Sequence, residues 1–193
     1  MKKIENFISP FLFVLVFLIY AVSVSKTIAF WDSSEFIASN YHLQATHPPG
    51  APFYTLLCNL VLLFFPSSWA AFISNLISAF FGALTVMYVY KIVKHISLKI
   101  SKNKNTVSIL SAVVSSLTLA FSDTFWTAST EAEVYTLSVF LLMFLFYLML
   151  LWHSEKDQSK ELKIVFLMVF LLGISLGVHL INLSILVPLS IIY

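Results

Sequence analysis

The fold class is decided by the stretch VYTLSVFLLMFLFYLMLLW, residues 134–152, which contains no charged side chain. A helix needs about 20 mostly apolar residues to cross the hydrocarbon core of a bilayer, and this stretch has that length. Of all 193 residues, 60% are hydrophobic and 10% are charged, whereas about 25% are charged in a typical soluble domain. The composition therefore excludes a soluble globular protein and predicts an all-α, polytopic transmembrane helical bundle.

Other apolar runs place the remaining helices of a single transmembrane domain over residues 1–193. The run at 53–65 reaches only about 20 Å as a helix, so we expect it to be interfacial or re-entrant. The end at Tyr193, within apolar sequence, is typical of the N-terminal part of a longer protein. The predicted spans are 7–27, 69–93, 106–121, 134–152 and 164–178, with the start of another at 181–193.

The lysines orient these spans, because positively charged loops stay in the cytoplasm. Lys2 and Lys3 place the N-terminus there, and the later lysine groups, within 91–104 and 156–163, belong on the same side. The Lys-only, Phe-rich composition hints at a bacterial inner membrane, with the active face outward. Five acids then face outward with no basic neighbour except Lys26, and these are Asp32, Glu35, Asp123, Glu131 and Glu133.

Asp32 and Glu35 stand three residues apart and share one face of any helix that starts there. Such a pair could hold a metal, or one carboxylate could act as a general base. The pattern Asp-x-x-Glu is also typical of a helix start, with Asp32 as N-cap and Glu35 reaching back. Spacing alone favours the cap, and a cap is compatible with catalysis.

Two histidines lie in motifs that could bind a ligand. His47 precedes the rigid turn PPGAP, residues 48–52, and could bind a phosphate or move a proton near neutral pH. His179 and Asn182, three residues apart, place polar groups at the outer end of the fifth span. Hydrogen bonding between helices is the alternative explanation for this second pair.

A second acidic cluster precedes the run at 134–152. Thr130 and Glu133 match a capping box that opens the following helix, which explains Glu133 without a function. Glu131 has no such explanation and lies four residues before Tyr135, on the same helix face. Glu131 is therefore the better functional candidate in this cluster.

Together these motifs resemble the family once filed as domain of unknown function 2723. The signature at the start of that family is similar to WDSSEFIA at 31–38 and HPPGAP at 47–52. Its later motifs are similar to EAEVY at 131–135 and GVHLIN at 177–182. The family includes a eukaryotic protein O-mannosyltransferase that acts on plexin-type immunoglobulin-like domains, and it is similar to GT-C glycosyltransferases.

The resemblance implies a membrane enzyme that moves a sugar, such as mannose, from a polyprenyl-phosphate-type lipid donor to a hydroxyl acceptor, with protein as the expected acceptor. GT-C enzymes carry an acidic pair in the first outer loop, which implies that Asp32 is the general base and Glu35 assists it. A divalent metal could support the phosphate leaving group, although no motif requires one. Candidates for binding the donor or acceptor are His47, Glu131, Tyr135, His179 and Asn182.

The sequence favours some other partners and functions less than it favours a glycosyltransferase. The absence of Arg removes the usual bidentate phosphate fork, so nucleic acid is not expected as a partner. The outer acids could instead form the vestibule of a transporter or channel subunit, although most lie at span ends. The chain could also be a non-catalytic accessory fragment. A metalloprotease is disfavoured because the sequence has no His-Glu-x-x-His pair.

Overall fold

The computed structural model describes residues 2–101 and 105–192, with side chains for residues 7–101 and 105–191. The regular structure within these ranges is helical and includes no strand, which confirms the all-α prediction. Short 3-10 segments at Ser67–Trp69 and Leu180–Ile185 accompany the α-helices. The α-helices are α1 (Lys2–Ser23), α2 (Ser33–His42), α3 (Pro52–Leu62), α4 (Ala70–Ile100), α5 (Asn105–Ala120), α6 (Asp123–Thr130), α7 (Val134–Ser154), α8 (Gln158–Leu176) and α9 (Leu186–Ile192).

Helix α4 is the centre of the molecule and packs against α1, α5, α6 and α7. Its 31 residues reach about 46 Å, which exceeds a hydrocarbon core of about 30 Å. Ala79, Gly82 and Ala83 share one face of α4, and these small residues let neighbouring helices approach closely. A methyl group at Gly82 would clash with Oγ of Ser129 on α6 and lie 3.2 Å from a ring carbon of Tyr20 on α1.

Helix α1 runs antiparallel to α4. Leu12, near the start of α1, packs in one apolar cluster with Tyr90, whereas Tyr20 packs in another cluster with Ala83. The hydroxyl of Tyr20 also donates a hydrogen bond to the carbonyl of Ala120 at the end of α5, at 2.7 Å. Helices α1 and α5 therefore end on the same side of the molecule.

Helix α7 runs parallel to α4. At one end of the pair, the backbone amide of Glu133 donates to Oγ of Ser78 at 3.3 Å. At the other end, Nζ of Lys99 donates to Oγ of Ser154 at 3.2 Å. We call the end that contains Glu133 the acidic end and the end that contains Lys99 the lysine end.

Two helical segments are long and apolar enough to cross a membrane, namely Ser67–Ile100, which includes α4, and Val134–Ser154, which is α7. The pair α5 and α6 forms a third candidate, bent by 64° at the break between its two helices. Phe7–Ser23, Pro52–Leu62 and Leu180–Ile191 are shorter apolar helices. The assignment of the other predicted spans to the bilayer stays a prediction.

The short helices α2 and α3 lie between α1 and α4 in the chain and carry the first acidic cluster to its position. Helix α3 begins at Pro52, a residue suited to the first turn because its missing amide hydrogen would have no acceptor within the helix. Nδ2 of Asn59 on α3 donates to the carbonyls of Asn40 at 2.8 Å and Tyr41 at 3.1 Å. Two side-chain hydrogen bonds thus fasten the end of α2 to α3.

The last apolar run breaks after α8, which ends at Leu176. The carbonyl of Gly177 accepts a hydrogen bond from the amide of Phe53 at 2.8 Å, which joins this break to the start of α3. A Cβ at Gly177 would lie 3.2 Å from Cβ of Phe53, so glycine permits the close approach. The spacing of four predicts the same packing role for Gly173. That prediction is wrong, because no described atom outside its own helix lies within 4 Å of a Cβ built there.

Candidate active site

Residues from α2, from the loop before α3, from the start of α7 and from the turn after α8 meet at the acidic end. They line a pocket of about 50 Å³. A buried apolar cluster that includes Phe36, Tyr54 and Val178 packs against these elements and fixes their relative positions. The polar side chains that line the pocket are Asp32, Thr46, His47, Glu133, Tyr135 and His179.

Asp32 lies at the start of α2, directly after a strained residue. Trp31 has a φ of 63°, in the left-handed region that costs a residue with a Cβ about 1–2 kcal/mol. The carboxylate of Asp32 makes no capping hydrogen bond to α2. The interpretation of Asp32 as a side-chain N-cap is therefore wrong, and its oxygens are not committed to the helix.

Glu35 binds His47 instead of capping α2. Nδ1 of His47 donates to Oε2 of Glu35 at 3.0 Å, and the backbone amide of His47 donates to Oε1. These hydrogen bonds lower the pKa of the Glu35 carboxyl. The bond to Glu35 also raises the pKa of His47, and the negative charges of Asp32 and Glu133 add to the increase. The imidazole therefore keeps its positive charge to a higher pH than an isolated histidine does.

The turn that presents His47 depends on Gly50. Its φ of 81° lies in the region that glycine adopts without strain. The amide of Gly50 donates to the carbonyl of His47 at 2.8 Å and closes the turn. The imidazole then packs against Phe36 of α2, with 5.9 Å between the ring centroids. Backbone and side chain thus hold His47 beside the acids.

Glu133 lines the same pocket, although its spacing from Thr130 predicts a capping box. The hydroxyl of Thr130 donates to the carbonyl of Trp126 within α6, at 3.1 Å, and Glu133 makes no capping hydrogen bond to α7. The capping-box prediction is therefore wrong. Burial, with the negative charges of Asp32 and Glu131, raises the pKa of Glu133 to about 7. The Glu133 carboxyl can therefore take up or release a proton near neutral pH. The sequence pattern did not predict this role.

Two other predicted site residues, Tyr135 and His179, also line the pocket. Tyr135 lies in the first turn of α7, and His179 lies in the turn after α8. Their ring centroids are 5.7 Å apart. Nδ1 of His179 accepts a hydrogen bond from the amide of Ile181 at 3.1 Å, which caps the following 3-10 segment. The ring of His179 is therefore held in place at the pocket.

Asn182 and Glu131 do not line the pocket among the described residues. Asn182 is fully buried. Its Oδ1 accepts from Oγ of Ser138 at 3.0 Å, and its Nδ2 donates to the carbonyl of Ser175 at 3.0 Å. Asn182 therefore makes hydrogen bonds between helical segments, which was the alternative to a role in ligand binding. Glu131 is the extended residue after α6, outside α7, so the prediction that it shares a helix face with Tyr135 is wrong. Its negative charge contributes to the raised pKa of Glu133.

Asp32, Glu35 and His47 could together hold a metal ion. One possible ligand atom from each lies within 4.8 Å of the others. Two carboxylates and one imidazole suit a transition metal such as Mn²⁺ or Zn²⁺ better than Ca²⁺, which prefers oxygen ligands alone. The three residues therefore fit such an ion, while the bonds between Glu35 and His47 satisfy both side chains without one.

The chain was compared with known proteins once this geometry was established. Residues 32–193 match the family described as the protein O-mannosyl-transferase TMEM260 N-terminal domain. The mouse (Mus musculus) protein O-mannosyl-transferase TMEM260 is 30% identical over 164 residues, a match that covers 85% of this chain and 22% of the mouse protein. No solved structure matches the chain. The family match begins at Asp32 and includes every polar side chain of the pocket.

Proposed function

The chain belongs to the family of protein O-mannosyl-transferase TMEM260 N-terminal domains, and on that premise we propose that it forms part of a GT-C-type membrane glycosyltransferase. This membership confirms the resemblance found in the sequence motifs. The enzyme moves a sugar, such as mannose, from a polyprenyl-phosphate-type lipid to a hydroxyl group, expected to be that of a protein. The observation that supports this function best is the uncommitted carboxylate of Asp32 in the pocket.

Asp32 is the general base of the proposed reaction. The acceptor hydroxyl loses its proton as its oxygen bonds to the anomeric carbon of the sugar, and a carboxylate within hydrogen-bond reach takes that proton. Glu35 is less suited because both of its oxygens already accept hydrogen bonds from His47. Glu133 is the alternative base in the same pocket, because a pKa of about 7 suits proton transfer near neutral pH.

His47 supports the departing phosphate of the donor. When the bond from the anomeric carbon to the phosphate oxygen breaks, that oxygen gains negative charge, which a nearby cation stabilises. The raised pKa of His47 keeps its imidazole cationic to a higher pH than that of an isolated histidine. Glu35 accepts a hydrogen bond from Nδ1 of the imidazole, fixes the orientation of the ring and so acts as a positioning residue. A divalent ion held by Asp32, Glu35 and His47 would supply this positive charge in place of the imidazolium, because His47 must be neutral to bind a metal.

The acidic end faces the outer side of the membrane in this proposal. The lysines of α4 lie at the other end of the molecule, and positively charged segments stay in the cytoplasm. The phosphate-linked sugar then meets the pocket at the outer edge of the bilayer, while its polyprenyl chain stays in lipid. The apolar helices and the mouse relative both support an integral membrane protein.

The test is Asp32→Asn in the protein purified from its own membranes. We expect the rate of mannose transfer from mannosyl-phosphate-polyprenol to a protein acceptor to fall by about 100-fold or more, because general base catalysis contributes that much. Binding of the donor should change far less, since the amide keeps the size of the carboxylate. The assay counts radiolabelled mannose on the acceptor.

The matched control is Asp123→Asn. Asp123 is an exposed acid in the first turn of α6 and does not line the pocket. Its variant should transfer mannose at the wild-type rate. Full activity of Asp32→Asn, or an equal loss in both variants, would overturn the assignment of the base.

A further inference from the structure

A second polar cavity lies at the lysine end, between α1, α4 and α7, and has a volume of about 440 Å³. Lys91, Lys94 and His95 line it from α4, Ser9 lines it from α1 and Tyr147 lines it from α7. The described residues of its lining include no Asp or Glu. The proposed transfer reaction uses none of these side chains, and we call this site the lysine cavity.

Lys91 is held in a defined position over two aromatic rings. Its Nζ lies 4.6 Å from the ring centroid of Tyr88 and 5.7 Å from that of Tyr147. Such cation–π contacts fix the direction of the ammonium group while leaving its N–H donors available to a ligand. The half-buried stem of Lys91 is therefore ordered at the cavity wall.

Ser9 provides a second, independent sign of a missing ligand. Its side chain is 8% exposed, and its Oγ has no hydrogen-bond partner among the described residues. A buried hydroxyl without a partner costs about 1–3 kcal/mol. A ligand atom that accepts a hydrogen bond from Ser9 would remove this cost, and an anionic oxygen beside Lys91 would do so best.

His95 of the cavity lining lies close to a polar side chain outside the lining. Nε2 of His95 lies 3.4 Å from Oγ of Ser154, which also accepts a hydrogen bond from Nζ of Lys99 at 3.2 Å. The ammonium group of Lys91, the imidazole of His95 and the hydroxyl of Ser9 thus line a space that is large enough for a phosphate diester. Phosphate oxygens accept hydrogen bonds from all of these groups and complement their charge.

We propose that the lysine cavity binds a phosphate group, of the kind that an anionic phospholipid headgroup or a soluble phosphate carries. The cavity lies about 20 Å along α4 from Ser78, which contacts the acidic end, so the two sites are separate. Basic pockets between membrane helices on the cytoplasmic side typically bind anionic headgroups. The ligand would clamp α1 to α4 and α7 at the lysine end.

The experiment measures the thermal-unfolding midpoint of the purified protein in neutral detergent. One arm adds phosphatidylglycerol, a second adds phosphatidylcholine, and a third adds inorganic phosphate against sodium chloride of equal ionic strength. We expect phosphatidylglycerol to raise the midpoint and phosphatidylcholine to leave it unchanged. A shift with inorganic phosphate at millimolar concentration would instead identify a soluble phosphate as the ligand. No shift in any arm would overturn the proposal.

Variants locate the effect. Lys91→Gln should weaken binding of phosphatidylglycerol about fivefold, which corresponds to about 1 kcal/mol for one lysine near the anion. Adding Ser9→Ala to Lys91→Gln should weaken binding of phosphatidylglycerol further, although the second substitution leaves the net charge unchanged.

Lys160→Gln is the matched control, because it removes one lysine that does not line the cavity. Nζ of Lys160 lies 3.9 Å from Oδ2 of Asp157. Equal weakening in Lys160→Gln and Lys91→Gln would show a nonspecific surface charge effect and overturn the site. None of these measurements involves sugar transfer, so the result is independent of the proposed function.

Discussion

Glu133 gives the candidate site a group whose ionisation depends on the fold. Its pKa of about 7 in the folded protein exceeds the ordinary value of 4.5. The folded state therefore binds a proton more tightly than the unfolded state does, and stability falls as pH rises from about 4.5 to about 7. Above that range Glu133 is charged in both the folded and the unfolded state, and the full loss of folding stability caused by its burial remains.

Glu133→Gln removes this cost and should stabilise the protein most at alkaline pH. We expect its thermal-unfolding midpoint to exceed that of the wild type at pH 8, and the difference to shrink toward pH 5. The control is Glu155→Gln at the lysine end, where the backbone amides of Asp157 and Lys156 lower the pKa of Glu155. Its effect on the midpoint should stay constant over the same range, because Glu155 contributes its stability throughout. A pH-independent difference for Glu133→Gln would contradict the prediction.

The residues of the site were predictable from sequence to different degrees. Asp32, Glu35 and His47 lie in short motifs with unusual chemistry, and the structure brings all three together. Glu133 was missed because its spacing from Thr130 is that of a capping box. Only the structure shows that Thr130 belongs to α6, so that it does not form a capping box with Glu133 at the start of α7.

Helix packing distinguishes glycines that the sequence presents as equivalent. Gly82 lies where α1 and α6 meet α4, and a Cβ there would be 2.9 Å from Cβ of Ser129. Gly173 lies in α8 and faces open space among the described residues. Helix propensity favours alanine at both positions, so only packing separates them.

Gly82→Ala should therefore destabilise the protein by about 1–3 kcal/mol, the usual cost of overpacking a close contact. Gly173→Ala should be neutral or stabilise by up to about 1 kcal/mol, because alanine forms helix more readily than glycine. Denaturant unfolding in detergent, followed by the loss of helical circular dichroism, measures both variants. Equal stability of the two would mean that α1, α4 and α6 do not pack as described.

Hydropathy predicted the long helices of the structure correctly. The run at 134–152 becomes α7 at Val134–Ser154, and the run at 69–93 becomes α4, which continues to Ile100. Hydropathy fails at the end of α4 because lysines lower it there, while the helix continues through them. The bend of 64° between α5 and α6 also has no signal in apolar periodicity, and α6 packs against α4 and α1 beyond it.

The molecule as a whole separates its charges along the helix axes. The pocket at the acidic end is lined by Asp32, His47, Glu133 and His179 and, among the described residues, by no lysine, whereas Lys91 and Lys94 line the cavity at the lysine end. The positive-inside rule predicts which end faces the cytoplasm, but the meeting of segments at the pocket depends on tertiary contacts that spacing does not encode. Asn59 and Gly177 make two of these contacts.

Cysteine labelling tests the predicted orientation. Cys58, the single cysteine of the chain, is fully buried, so the wild type should give little background. Gln44→Cys, near the acidic end, should react with a membrane-impermeant maleimide added to intact cells. Gln158→Cys, at the exposed first residue of α8, should react only after the membrane is permeabilised. Labelling from the reverse sides, or of both positions from one side, would contradict the predicted orientation.

The hydrogen bond between Phe53 and Gly177 has a consequence for biosynthesis. Helix α3 leaves the ribosome early, but its partner carbonyl at Gly177 is synthesised only after α8. The nascent chain therefore carries the first acidic segment without its final support while most of the helices are still being inserted. Chaperones and membrane proteases would meet this segment in its unsupported form. Ribosome stalling before Gly177 should consequently yield chains that are cleared faster than chains stalled shortly after it.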